Sequence, residues 1–172
     1  MYDLYTSNDD DTARYILGKS GAKKLFVIGL NPSTANKEKS DTTVAKVENV
    51  AKSNSFDGFI MANLYPLRST DPNGLPCEAD QGYFRDNIDY ISKLASLEEN
   101  PVFWAAWGGD IDLRSYLSDS FKALNAVVKR VNGKWVNYGD LRKDGHPRHP
   151  SRLSYAWQFF EFDSDSYAQR FA

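Results

Sequence analysis

The chain contains a single cysteine, Cys77, and two histidines among 172 residues. One cysteine excludes an intramolecular disulfide framework and fits a reducing compartment, so a cytoplasmic protein is expected. The same scarcity leaves too few ligands for a structural zinc site, and neither metal nor cofactor is expected. No apolar run approaches the roughly 18 residues of a membrane span. The opening stretch, MYDLYTSNDDDTARY, is acidic and shows no basic-then-apolar order of a signal peptide. There is no P-loop ending in Gly-Lys-Ser/Thr and no Gly-x-Ser-x-Gly elbow, which argues against triphosphate binding and against a serine hydrolase. No repeat or low-complexity linker divides the chain, so one domain over residues 1–172, taken as a monomer, is expected.

Apolar residues make up 41% of the chain and aromatics 14%, enough to build a core. The net charge of -2 argues against coating nucleic acid by bulk attraction. Charge is nevertheless uneven: Lys129, Arg130, Lys134, Arg142, Lys143, Arg148 and Arg152 face only Asp140 and Asp144 over one stretch. Such a run is either a solvated surface or a phosphate-binding patch.

Apolar runs alternate with amphipathic ones. KKLFVIGL (23–30), DGFIMANLYPL (57–67) and PVFWAAWGG (101–109) read as buried strands. SDTTVAKVENVAKSNS, DQGYFRDNIDYISKLASL and DIDLRSYLSDSFKALN read as helices opened by acidic or hydroxyl caps. DTARYILGK (11–19) is expected to be a short helix, and AVVKRVNGKWVNYG a hairpin turning at Asn132-Gly133. The alternation predicts a mainly parallel sheet with helices on both faces, whose ligands gather beyond the carboxyl ends of the strands.

Three segments there carry polar residues. GLNPSTAN (29–36) places Asn31 at a strand end beside Pro32, either as a capping turn or as an anion-holding one. Asn63 ends a second strand, where a buried amide must be hydrogen-bonded. Trp104 and Trp107 read as core. In GHPRHPSRLS (145–154), His146 and His149 would share a helical face, but Pro147 and Pro150 oppose a helix and so oppose a metal pair. A proline-stiffened turn instead holds one imidazole, His149, in a fixed position, and His146 reads as a loop residue.

Together these segments resemble the uracil-DNA glycosylase superfamily. HPSRLS (149–154) differs only at Arg152 from the His-Pro-Ser-Pro-Leu-Ser segment of one branch, and GLNPS (29–33) is similar to the Gly-Ile-Asn-Pro-Gly turn of the mismatch-specific branch. VFWAAWGG is similar to a third strand ending in Trp-Gly. The chain is also similar to small bacterial and phage proteins sharing Asn-Pro-Ser-Thr-Ala and Gly-x-Pro-x-His-Pro. The resemblance implies a three-layer α/β/α fold on a central, mainly parallel four-stranded sheet. It implies that Asn31 positions the attacking water and His149 stabilises the departing base. Asn63 would read the base edge, with Tyr65 stacking on it. Ser33, Arg148, Ser151 and Arg152 would contact DNA phosphates, and Leu153 would wedge into the duplex.

Glycosidic cleavage leaves an anionic base and an oxocarbenium-like sugar, so fixed donors near the base lower the barrier. Asparagine is a weaker base than the usual aspartate, so a slow or narrowly specific enzyme is expected. The leading expectation is a glycosylase releasing uracil or a modified base from DNA. The alternatives are a hydrolase of free nucleosides or nucleotides, and a non-catalytic module that binds nucleic acid or protein. An exposed Leu153 favours duplex DNA, and a buried one favours small molecules.

Overall fold

The structure is a computed structural model covering residues 1–172. It opens with two antiparallel strands, β1 (Leu4–Ser7) and β2 (Arg14–Lys19). β2 corrects the short helix expected over residues 11–19. Its residues Arg14–Gly18 are all buried, because β1 flanks them on one side and another strand on the other. Tyr-Ile-Leu suits either a helix or a doubly covered strand, and pairing decides.

Next come β3 (Lys24–Gly29), α1 (Thr42–Ser53), β4 (Gly58–Asn63), α2 (Gln81–Ala95) and β5 (Val102–Ala105). They are followed by α3 (Ser115–Arg130), β6 (Lys134–Tyr138), β7 (Phe159–Glu161) and a short α4 (Ser164–Ala168). The Asn132-Gly133 pair is not a hairpin turn. α3 runs to Arg130, Asn132 takes a left-handed φ of 55°, and Gly133 N–H closes back onto Val128 O. Asn-Gly stops a helix as readily as it turns a hairpin, and β6 then leaves parallel to β5.

The sheet has seven strands in the order β1-β2-β4-β3-β5-β6-β7, not the four expected. The central β4-β3-β5-β6 are mutually parallel, while β2, β1 and β7 extend the edges antiparallel. Val44, Val47 and Val50 of α1 pack with Leu25 and Val27 on one face. Ile91 of α2 and Phe121 and Leu124 of α3 pack with Phe26 and Ile28 on the other. No helix is long and apolar enough to cross a membrane.

This topology also divides the basic run. Lys129, Arg130 and Lys134 lie where α3 hands over to β6, at the amino edge of the parallel strands. Lys129 pairs there with Asp165, and Arg130 donates to Ser92. Only Arg142, Arg148 and Arg152 reach the cleft at the opposite, carboxyl edge.

Gly18 is required where β2 crosses β4, since a Cβ built on it would lie 2.0 Å from Phe59 O. Gly18→Ala is therefore expected to cost about 1–3 kcal/mol through forced strand separation. Urea unfolding checks this, and an unchanged midpoint would contradict the packing described.

Candidate functional site

The carboxyl edge of the parallel strands opens into a cleft of about 520 Å³. Two loops, one after β3 and one after β4, form its wall and are zipped together. Leu64 N–H donates to Gly29 O and Ser69 N–H to Pro32 O, each at 2.9 Å. Arg68 reinforces the zipper. Its Nη1 donates to Ser33 O at 2.7 Å and Ala35 O at 2.9 Å, while Nη2 reaches Tyr5 Oη and the Asp11 carboxylate. Asn31 joins through Nδ2, donating to Ser69 O at 2.9 Å and Pro32 O at 3.1 Å. Its donors are thereby occupied, and Oδ1 is the atom left to accept from a ligand or water in the cleft.

The opposite wall comes from the turn after β5 and the His-Pro loop after β6. Gly108 has φ of 74°, and a Cβ there would sit 3.1 Å from Cβ of His149. Glycine is thus needed twice over, for the left-handed turn and for the close approach. His149 precedes a 3₁₀ turn at Pro150–Arg152, and its Nδ1 accepts from Ser151 N–H at 3.1 Å. The neutral ring therefore carries its hydrogen on Nε2, a tautomer fixed by the backbone. Burial holds the imidazole below its ordinary value of 6.5, helped by Lys46 and opposed by Asp110 and Asp41.

His146 has a different fate and is fully enclosed. Trp107 Nε1–H donates to Tyr167 Oη at 2.9 Å, and that hydroxyl lies 2.7 Å from His146 Nδ1. His146 Nε2 lies 2.7 Å from Asp112 Oδ2. The Asp112 carboxylate can only accept, so Nε2–H donates to it, and Nδ1 of the neutral ring then accepts from the Tyr167 hydroxyl, whose oxygen accepts from Trp107. This chain fastens the His-Pro loop to the turn after β5 and to α4. Burial raises the Tyr167 phenol well above its usual range and keeps it a neutral donor. His146, which reads as a loop bystander, is the pin that sets the height of His149.

Two floor residues each carry a buried donor atom without a partner. Asn63 is 1% exposed, and its Nδ2 has no hydrogen-bond partner. Gly29 makes room for its amide, since a Cβ there would lie 2.7 Å from Asn63 Oδ1. Arg14, at the start of β2, is 2% exposed. Its Nη1 donates to Ala35 O at 3.1 Å, its Nε has no partner, and it belongs to none of the ion pairs. Burial first, then repulsion from Arg68, lowers its guanidinium to about 10, with Asp41 opposing, so it is cationic at neutral pH. An uncompensated buried ion costs several kcal/mol.

The fold brings Asn31, Ser33, Asn63, Arg148, His149, Ser151 and Arg152 to this one cleft. Tyr65 is not among them. It is 1% exposed, its hydroxyl accepts from Asp80 N–H at 2.9 Å, and its ring packs on Tyr116 at 4.7 Å. The stacking role expected of it is corrected: a ring enclosed in the core cannot receive a base. Leu153 is half-buried against the α1-side core and does not line the cleft. The aromatic that does line it with partial exposure is Trp157, held under the Arg148 guanidinium 5.5 Å from its ring and against Gly139. Nothing in YAWQFFEF separates that ring from its neighbours by pattern. Arg14 had a signal, a charge opening an apolar run, which the helical reading of that segment hid.

His146→Ala is expected to cost about 1–3 kcal/mol by stranding the Tyr167 hydroxyl. It should also loosen the His-Pro loop. Urea unfolding and amide exchange at residues 140–149 measure both effects, and unchanged stability would contradict the pinning role.

No curated protein and no solved structure matches the chain. A family described as a protein of unknown function, DUF1643, matches residues 14–151. That span opens at Arg14 and closes at Ser151, both of which line the cleft. With most of its length matched, the chain belongs to the DUF1643 family.

Proposed function

We propose that the cleft cleaves the N-glycosidic bond of uracil or a modified base in DNA, on a fold of the uracil-DNA glycosylase kind. The observation that carries this reading is the convergence of three complementary side chains on one cleft: Asn31, whose Oδ1 is free to accept, Asn63, whose buried Nδ2 has no partner, and His149, whose Nε2 carries the ring hydrogen. The four central parallel strands, with helices on both faces, agree with it.

In this reading the base edge sits on Asn63, and Asn31 Oδ1 accepts a hydrogen bond from water and orients it towards the sugar carbon. The water oxygen bonds to that carbon as the carbon–nitrogen bond breaks, and the bonding pair leaves with the base. His149 Nε2–H donates to a base oxygen as that charge develops. Asn31 takes no proton; the water's proton passes to solvent or to the departing base. Trp157 offers a face for stacking, and Arg148, Arg152, Ser33 and Ser151 flank the opening for phosphate contacts.

A second substrate, a free nucleoside or nucleotide, is favoured by one observation. Leu153 packs half-buried against the core instead of projecting as a duplex wedge.

Base release should be assayed on single- and double-stranded oligonucleotides carrying uracil or modified bases, and on free nucleosides and nucleotides. His149→Ala is expected to lower the rate by about 10²–10³-fold, as for a lost oxyanion donor, and Asn31→Ala should abolish release without unfolding the chain. Protonating His149 at Nδ1 would place it against Ser151 N–H, so activity is expected to fall with decreasing pH through a value below 6.5. Unchanged activity in both variants would overturn the reading.

A further inference from the structure

The floor of the cleft holds a feature that the chemistry above leaves unused. Arg14 and Arg68 both donate to the carbonyl of Ala35, yet only Arg68 has an anionic partner, Asp11. Arg14 is the more deeply buried of the two. Asp41 also lines the cleft, but it is committed as the cap of α1: its Oδ1 accepts from Val44 N–H at 2.9 Å and its Oδ2 from Ala35 N–H at 3.3 Å. Arg14 opens β2, the immediate neighbour of β4, which ends at Asn63. Two buried, unpartnered donors, Arg14 Nε and Asn63 Nδ2, therefore sit at the same end of the cleft. His149 lies towards the other end, beyond β5.

Buried polar groups are almost always satisfied, and a buried cation beside a second cation is the costliest kind to leave unpaired. A neutral ligand would satisfy the amide and leave the charge uncompensated. A negatively charged oxygen would satisfy both, through charge-assisted hydrogen bonds. We propose that Arg14 and Asn63 form a buried oxyanion subsite, so that the substrate presents a carboxylate or a phosphate at the β2–β4 end of the cleft. This rests on the base-releasing reading and narrows its substrate class. An oxyanion reaching the floor beside the base-reading amide is either an acidic substituent of the base or the phosphate of a compact nucleotide. An internal phosphodiester, held along a DNA backbone at the rim, does not reach a guanidinium that is 2% exposed.

Two matched pairs distinguish the sources: uracil-5-carboxylate against uracil, and uridine 5′-monophosphate against uridine. Each is titrated into the full chain by calorimetry in phosphate-free buffer. The charged member of one pair is expected to bind at least about tenfold tighter than its neutral partner, the scale of a charge-assisted hydrogen bond. Preference in the first pair assigns the oxyanion to the base, and preference in the second assigns it to a phosphate. Arg14→Met should erase the preference and leave the ligand-free melting temperature equal or higher, because it removes an uncompensated charge while keeping the volume. A purely structural arginine would give a lower melting temperature and leave any preference intact.

No charge preference in either pair with the wild-type chain overturns the subsite, whatever the variant does. So does a preference that survives Arg14→Met. Base release that depends on Asn31 and His149 without any charge preference would leave the glycosidic reading standing and remove the subsite. Arg14-dependent anion binding without base release would do the reverse.

Discussion

The carboxyl edge of the parallel strands is a place where polar groups are buried, and each must find a partner there or be held ready for a ligand. Everything about the cleft follows from how this is met. The loops after β3 and β4 answer each other's carbonyls and amides, with Arg68 reaching across to β1 and Asp11 to complete the set. The loop after β6 is satisfied through Trp107, Tyr167, His146 and Asp112. Once these are subtracted, two cleft-lining residues, Arg14 and Asn63, still carry a buried donor without a partner.

Like residues are divided between the two duties. His146 has both ring nitrogens engaged and sets position; His149 has only Nδ1 engaged and offers Nε2 to the cleft. Arg68 is bonded through all three guanidinium nitrogens, whereas Arg14 holds one carbonyl. The Asn31 amide is anchored through its donors and Asn63 is left with a free one. His146 fastens the loop that carries His149, and Arg68 shares the Ala35 carbonyl with Arg14, so the engaged members hold the framework that a preorganised site requires. Glycine supplies the remaining clearance, at Gly29 for the Asn63 amide and at Gly108 for His149.

Much of this was legible in the sequence. The three apolar runs that became β3, β4 and β5 announced themselves by composition, and their carboxyl ends pointed to Asn31 and Asn63, while His149 stood out through the proline-stiffened loop that carries it. What was not legible depended on partners far along the chain. RYILGK reads as a strand only once β1 and β4 are known to flank it. Asn132-Gly133 stops a helix here, and only the length of α3 tells that from a hairpin. Tyr65 and Trp157 are both aromatic residues beside polar ones, and their exchange of core and cleft positions is decided by Asp80, Tyr116 and Gly139. The basic run looked continuous, yet a parallel strand carries its two ends to opposite edges of the sheet.

The central claim is that Asn31, Asn63 and His149 act on one base held in one cleft. A crystal structure of the chain soaked with a free pyrimidine base tests it most directly. The account predicts the base within the cleft, with its edge on Asn63 Nδ2 and an oxygen within hydrogen-bond distance of His149 Nε2. A base bound elsewhere, or in the cleft but touching neither side chain, would contradict it.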